Sequence, residues 1–426
     1  MKHSTKPEQG PSSSAEWVVR LTRSVRERIP FYRDHIADGD VDNLASVPSF
    51  DKSRTVGYGR FPMSAGGASG ACRVLATSGT SGDRLYVALD REEWNCTADW
   101  LGAVGEQAGV GPDDVLLNTH CYGLWVGGPA LDLLANRTGA GLVPLGPTRP
   151  EAVIELLADG VGTAISATPS YLRRVIETAE ATGFDLRKTG LRVGFIGAEP
   201  AEESLRRKLS QKLPDGFSWI ELYGLTETGG PSIAFAPDPE VAELTLNTQA
   251  FWIEILDLEA DTPMPFGDVG ELTITTRRVD GRTPLVRYRT RDLARATAGT
   301  AEAPTRISRI LGRADHSLKI GGVLVYPSAV AEIMSSLLPA TAEWRALVQR
   351  RHEDDELLVE AEAPPELCQT VERAFRERVG LTLAVASIEA GVLARSREKT
   401  QRILIDSGAT ARDRRGTDST TSGGTS

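Results

Sequence analysis

The sequence predicts an α/β fold: a large N-terminal domain with parallel and mixed sheets flanked by helices and an antiparallel β part, then a small C-terminal α+β domain. Three observations predict it. The 426-residue chain exceeds the roughly 250 to 300 residues that one core accommodates. From about residue 114, short apolar runs alternate with helical stretches, as in a parallel sheet covered on both faces. Beyond about residue 250, β-rich segments follow one another without intervening helices, as an antiparallel addition would.

Taken in order, residues 1–14 are polar and Ser-rich and cannot repay their ordering entropy by burial. Trp17, Leu21, Val25 and Ile29 recur every four residues and mark one apolar helical face, which Pro30 ends. VLLNTH, GLVPLG, TAISA, LRVGFIG and WIELYG read as strands, separated by helices over 149–159, 169–183 and 201–213. AFWIEILDLEA, VGELTITT and TPLVRYRT supply the antiparallel part, with Asp292 following the last of these strands. A boundary falls near Leu311 to Asp315, so the expected domains are 15–312 and 313–408, with a loose charged tail over 409–426.

Composition excludes several classes of function. With 48 basic and 58 acidic residues the net charge is -10, which argues against a partner held mainly through nucleic-acid phosphates or anionic lipid. The four cysteines, Cys72, Cys96, Cys121 and Cys368, are far apart, as expected of a chain kept in a reducing compartment without disulfides. The N-terminus lacks an apolar signal core and no run approaches a membrane span, so a soluble cytoplasmic protein is expected.

Five segments carry chemistry. ATSGTSGDRLYVALD sets the hydroxyls of Thr77, Ser78, Thr80 and Ser81 around Gly79 and Gly82. Glycines let peptide N–H groups turn inward and hydroxyls add donors, which suits a polyphosphate, although such a run alone is more often a plain turn. WIELYGLTETGG ends a strand at Glu221, Tyr223 and Gly224 and presents Thr226 and Glu227 on the turn. There an aromatic ring can stack on a base, a threonine can bind phosphate and a carboxylate can hold magnesium; the plainer reading is a strand-to-helix turn with a hydroxyl cap. VRYRTRDL places Asp292 where a carboxylate can accept ribose hydroxyls, or where a salt-bridged edge strand simply ends. LGRADHSLKIGGVLVYP combines Arg313 and Asp315 with the Gly321-Gly322 pair, as a linker that touches phosphate and rotates would. ARSREKTQRILID holds Lys399 in a basic cluster of the kind usually found solvated.

In that order these motifs resemble the adenylate-forming (acyl-CoA synthetase-like) superfamily. RYRTRDL, GAEP at 197–200 and VYPSAVAEIM make the resemblance strongest to its phenylacetate-CoA ligase branch, over roughly residues 15–408. The resemblance implies a carboxylate ligase that uses ATP and Mg2+, forms an acyl-adenylate with release of pyrophosphate, and passes the acyl group to coenzyme A. By it, Thr77, Ser78, Gly79, Thr80, Ser81 and Gly82 match the loop gripping the β- and γ-phosphates. Gly197, Ala198, Glu199 and Pro200 match the segment beside the adenine and acyl pocket. Tyr223, flanked by Glu221 and Gly224, matches the adenine-stacking ring; Thr226 matches the α-phosphate ligand and Glu227 the magnesium ligand. Asp292 matches the ribose clamp, Arg313 a ribose or phosphate contact, Asp315 the hinge of a mobile lid domain, and Lys399 the lysine needed for adenylation. His120, Tyr122, Gly123, Trp125 and Gly127 fall in the stretch that lines the acyl pocket, where Tyr122 and Trp125 can flank a planar ring.

The implied substrate is an aryl acid of benzoate, hydroxybenzoate or 3-hydroxyanthranilate type, or phenylacetate. A homodimer is common in the branch. No zinc is implied, because GPSIAFAPDPEVAELTLNTQAFW contains neither Cys nor His. Two positions depart from the family pattern: Gly82-Asp83-Arg84 stands for G-K-P, and Ile320-Gly321-Gly322 for I-R-G near the thiol entrance. They keep open two other readings, transfer of the acyl group to an amine, hydroxyl or carrier-protein thiol, and a nucleotide-binding regulatory protein without catalysis.

Overall fold

The computed structural model describes residues 14–77, 84–237, 243–300, 302–316, 318–320, 323–349, 356–393 and 402–406. The chain divides after Asp315 into two compact units.

The first unit is organised by one sheet of twelve described strands. Its parallel half runs, in spatial order, Gly141–Pro144, Val115–Asn118, Ala164–Ala167, Val193–Gly197 and Ser218–Leu225. Strands Ala164–Ala167 and Val193–Gly197 are buried at every position, which is why they read as continuous apolar runs and not as alternation. Helices Pro150–Ala158, Pro169–Thr182 and Glu203–Ser210 form where the helical periodicity places them. Thr168 caps Pro169–Thr182 by accepting from the Tyr171 amide, and Gly183 ends it in the left-handed region. The fold class is therefore the one the sequence predicts.

From Ser218–Leu225 the sheet continues antiparallel through Gly230–Ala236, Glu243–Leu246, Pro304–Ser308, Tyr288–Gly299, Val269–Thr276 and Phe251–Leu256. The short strand Gly312–Arg313 pairs with Tyr288–Gly299. Here the structure departs from the sequence-based boundary. The strand begins at Tyr288, not in the preceding TPLVR, and Asp292 lies inside it instead of after it. Arg287 holds positive φ, 49°, immediately before the strand begins, while Arg291, at 66°, sits within it where the pairing with Val269–Thr276 shifts register between Glu271 and Thr273. Arg287 is fully buried, its guanidinium held by Glu254 at 3.1 and 3.2 Å and by the carbonyl of Val47 at 2.8 Å.

The N-terminal helix spans Ser14–Arg28 and buries Trp17, Leu21 and Val25 together with Ile29 beyond its end. Pro30 does not merely stop it but opens the next helix, Pro30–His35, at its first position.

The second unit pairs Leu318–Ile320 with Val323–Val325, then runs through helix Pro327–Leu337, strands Trp344–Gln349 and Glu356–Ala361, helix Pro365–Val379 and strands Val385–Ser387 and Ile403–Asp406. Its four-stranded sheet is antiparallel at the centre and parallel at both edges. Met334, Val371 and Phe375 of the helices pack with Ala346 and Val359 of the sheet in a core of its own. Among the described residues no helix is long and apolar enough to cross a membrane.

Candidate active site

The strand Ser218–Leu225 delivers the Y-G-x-T-E segment to the carboxyl end of the parallel sheet, where ligand crevices of such sheets lie. Gly224 is where the chain folds closest on itself. A Cβ there would stand 1.9 Å from the Gly230 carbonyl oxygen, a distance no side chain tolerates. The bulge between Tyr223 and Leu225 and the single turn Thr226–Thr228 then swing Glu227 inward, to 8% exposure. The Tyr288 hydroxyl donates to Glu227 Oε1 at 2.8 Å. Burial lifts the Glu227 carboxyl above its ordinary pKa; its own backbone amide, Tyr288 and the charge of Lys52 oppose the rise, and Asp292 adds to it.

Tyr223 and Asp292 meet from different strands, the Tyr223 hydroxyl donating to Asp292 Oδ2 at 2.6 Å. Arg313, the cross-strand partner of Asp292, brings Nη1 to 3.4 Å from Oδ1 of the same carboxylate and Nε to 3.0 Å from Asp315. Burial pulls the Arg313 guanidinium down, but Asp292 and Asp315 outweigh it and hold it above its ordinary value. The Tyr223 phenol is raised far above its own, by burial first and by Asp292 second.

Of the hydroxyl-glycine loop, Thr77 is described, while Ser78, Gly79, Thr80, Ser81 and Gly82, like Asp83, Gly321, Gly322 and Lys399, lie outside the described residues. The Thr77 amide donates to the Leu85 carbonyl at 2.9 Å and its hydroxyl accepts from the Leu85 amide at 3.2 Å, closing the base of the loop. Lys52 Nζ reaches the same hydroxyl at 3.4 Å and acts electrostatically on Glu227. Sequence reasoning missed Lys52, whose FDKSRT context has neither glycine nor periodicity to mark it. It stands on the short turn Lys52–Thr55, fastened by Asp51, which accepts from the Ser53 amide at 2.9 Å and is hydrogen-bonded by Arg291. Arg84, in contrast, is exposed.

The acyl-side stretch follows the strand Val115–Asn118 and joins this cluster where the Ala76 amide donates to the Leu124 carbonyl at 2.9 Å. Asn118, also missed from the sequence, is its hub: Nδ2 donates to Tyr122 Oη at 3.0 Å and to Asp132 at 2.8 Å, and Oδ1 accepts from Ser166 at 2.7 Å. Tyr122 donates its own proton to Asp132 at 2.7 Å, so its hydroxyl is spent within the protein and its ring serves as a wall against Gly128. Gly127 leaves room for Trp125, since a Cβ there would lie 2.2 Å from the indole ring. Gly123 turns the chain at φ +81°. His120 is 5% exposed with its ring 5.5 Å from that of Trp125, and burial lowers its imidazole to about 4.

Two predicted residues have carboxylates directed to other partners. Glu199 accepts from the Ser170 hydroxyl at 2.9 Å and amide at 3.2 Å, capping helix Pro169–Thr182, next to Ala198 at φ +68° and exposed Pro200. Gly197 lies against the Leu222 carbonyl, 2.9 Å from where its Cβ would be. Glu221 lies 3.3 Å from Arg309; burial raises its carboxyl to about 7 against the pull of Arg206. Thr77 meets Lys52, Glu227 meets Tyr288, and Asp292 meets Tyr223 and Arg313; the charges of Lys52 and Asp292 both act on Glu227.

A model of the AMP-binding enzyme family matches residues 33–279, and one of the AMP-binding enzyme C-terminal domain matches residues 322–407. The chain is 31% identical over 344 residues to phenylacetate-coenzyme A ligase of Escherichia coli (strain K12), covering 78% of each. It is 32% identical over 367 residues to the protein of the same name from Aromatoleum evansii, covering 82% of this chain and 81% of that one. Among solved structures, 2-hydroxyisobutyryl-CoA ligase in the postadenylation state in complex with R3-HIB-AMP matches with a TM-score of 0.79 at 19% identity, over 92% of this chain and 89% of that one, a likeness of fold.

Proposed function

Because the chain belongs to the AMP-binding enzyme family, in its phenylacetate-CoA ligase-like branch, we propose that it activates an aryl carboxylic acid, of benzoate, hydroxybenzoate, 3-hydroxyanthranilate or phenylacetate type. The enzyme is an AMP-forming acid–CoA ligase. In the first half-reaction a carboxylate oxygen bonds to the α-phosphorus of ATP while the bond to pyrophosphate breaks. In the second, the thiol sulfur of coenzyme A attacks the acyl carbon, loses its proton, and AMP leaves.

The first step brings two anions together, so charge must be screened before atoms can align. In our reading Lys52 and Thr77 sit at the phosphate side of this encounter, with Thr226 on the α-phosphate and Lys399, by the family resemblance, as the lysine that adenylation needs. Asp292, oriented by Tyr223 and Arg313, receives the ribose hydroxyls. Glu227 fits a magnesium ligand: it is a single buried carboxylate with one oxygen anchored by Tyr288, and magnesium takes one or two carboxylates plus substrate phosphates. Magnesium, when bound, supplies neutralising charge across the phosphate oxygens. Rotation about Asp315 would exclude water from the anhydride and admit the thiol. The enzyme is proposed to work in the cytoplasm.

The observation that supports an aryl substrate is the pairing of Trp125 with Gly127, where the indole ring occupies the space a side chain at 127 would take, and Tyr122 stands against Gly128. Pyrophosphate release tested over a panel of aromatic and aliphatic acids, with and without coenzyme A, checks it. An aryl acid is expected to give the highest kcat/KM and to yield a thioester only when coenzyme A is present. Turnover confined to aliphatic acids would remove the aryl assignment.

A further inference from the structure

Buried polar groups in folded proteins are hydrogen-bonded, and one that is not calls for an explanation. On the connection after the strand Val115–Asn118, Thr119 donates to the Ser166 carbonyl at 2.7 Å, while Asn118 and Tyr122 satisfy each other and Asp132. His120 is the exception. Its backbone amide donates to Asn118 Oδ1 at 3.2 Å, but neither ring nitrogen has a hydrogen-bond partner among the described residues; the residue is only 5% exposed, yet its ring nitrogens are not among the wholly inaccessible polar atoms, so they keep a small opening through which a ligand can reach them. Among the described residues no carboxylate acts on it; burial lowers the imidazole and keeps it neutral at ordinary pH. A neutral imidazole carries one donor and one acceptor. Among the described residues its aromatic neighbour is Trp125, whose indole fills the space beside Gly127.

Resting on the aryl-acid reading above, we propose that His120 recognises a polar ring substituent, hydrogen-bonding a hydroxyl or amino group on the aromatic acid. The enzyme then selects hydroxy- or aminobenzoate-type acids over the unsubstituted ring. An apolar side chain at this position would pack on Trp125 equally well, and a histidine whose nitrogens meet no protein partner gains nothing from its polarity here. Filling its hydrogen bond with substrate accounts for its presence. A site built around a substrate hydroxyl or amine discriminates strongly against the analogue that lacks it, because the protein group is then left buried and unpaired.

The test compares benzoate with the three hydroxybenzoates and the three aminobenzoates, by pyrophosphate release, in the full-length wild type and in His120→Phe. The wild type is expected to prefer at least one substituted isomer over benzoate. His120→Phe is expected to shrink that ratio of kcat/KM values by roughly 10- to 100-fold, and the apo variant is expected to melt at the wild-type temperature or above. A residue with a merely structural role would instead lower the melting temperature and depress all acids alike. A wild type that favours benzoate, or a variant that keeps the wild-type ratio, overturns the proposal while leaving the aryl-acid reading intact. If no aromatic acid outperforms aliphatic ones, the aryl-acid reading itself fails and this one with it. Should His120→Phe not fold, the wild-type preference and His120→Ala decide in the same way.

Discussion

The Tyr223 hydroxyl lies 2.6 Å from Asp292 Oδ2, joining residues 69 positions apart at the junction of the parallel and antiparallel parts of the sheet system. The bond fixes the carboxylate proposed to hold ribose and the ring proposed to face adenine in one stroke. Tyr223→Phe keeps the ring and removes this hydrogen bond, leaving the carboxylate to Arg313. Hydrogen bonds to charged groups contribute about 1.5–3 kcal/mol, so KM for ATP should rise about 10- to 100-fold with little change for the acid. An unaltered ATP KM would show that Asp292 does not need this orientation.

Lys52 faces the Thr77 hydroxyl at 3.4 Å and acts on Glu227. Losing one preorganised donor to developing charge costs about 100- to 1,000-fold in rate. Lys52→Met should therefore slow pyrophosphate release by that factor, and Lys52→Arg should restore part of it. A change within two-fold for Lys52→Met would place the lysine outside the reacting phosphates.

Gly224 faces the Gly230 carbonyl where a Cβ would be 1.9 Å away. Gly224→Ala must push the turn carrying Thr226 and Glu227 outward. The expected loss is about 3 kcal/mol or more of unfolding free energy, read in a urea titration, together with loss of pyrophosphate release. A variant of wild-type stability would contradict this packing.

Glu227 is held above its ordinary carboxyl pKa mainly by burial, so the folded state prefers the protonated form. That contribution to stability is fully present below about pH 4.5, the unfolded value, and is lost as pH rises through the folded one. Glu227→Gln should accordingly melt higher than wild type at pH 8, with the gap closing towards pH 4.5, while pyrophosphate release collapses. His120 gives the opposite slope: with its imidazole lowered to about 4, the stability it leaves intact above 6.5 is lost as pH falls from 6.5 through 4. His120→Phe should flatten that acid limb, measured by thermal melts between pH 4 and 7.

Lys399→Ala should suppress adenylate formation far more than thioester formation from supplied adenylate. Equal losses in both half-reactions would rule out the two-conformation reading built on Asp315.

The sequence by itself determined the α/β class, the strand-and-helix alternation from 115 to 225, and the buried face of Trp17, Leu21 and Val25, because periodicities of two and 3.6 residues are properties of neighbours along the chain. It also carried the ordered motifs that place the chain in its family. Only the tertiary structure decided that Lys52 meets Thr77, that Asn118 organises the acyl-side loop, that Glu199 caps a helix, and that the strand starts after Arg287 and carries Asp292 within it, past a register shift at Arg291. These follow from sheet register and close backbone approach between segments distant in sequence. No local pattern encodes them, because the partners come within reach only after the strands have paired and the turns have closed.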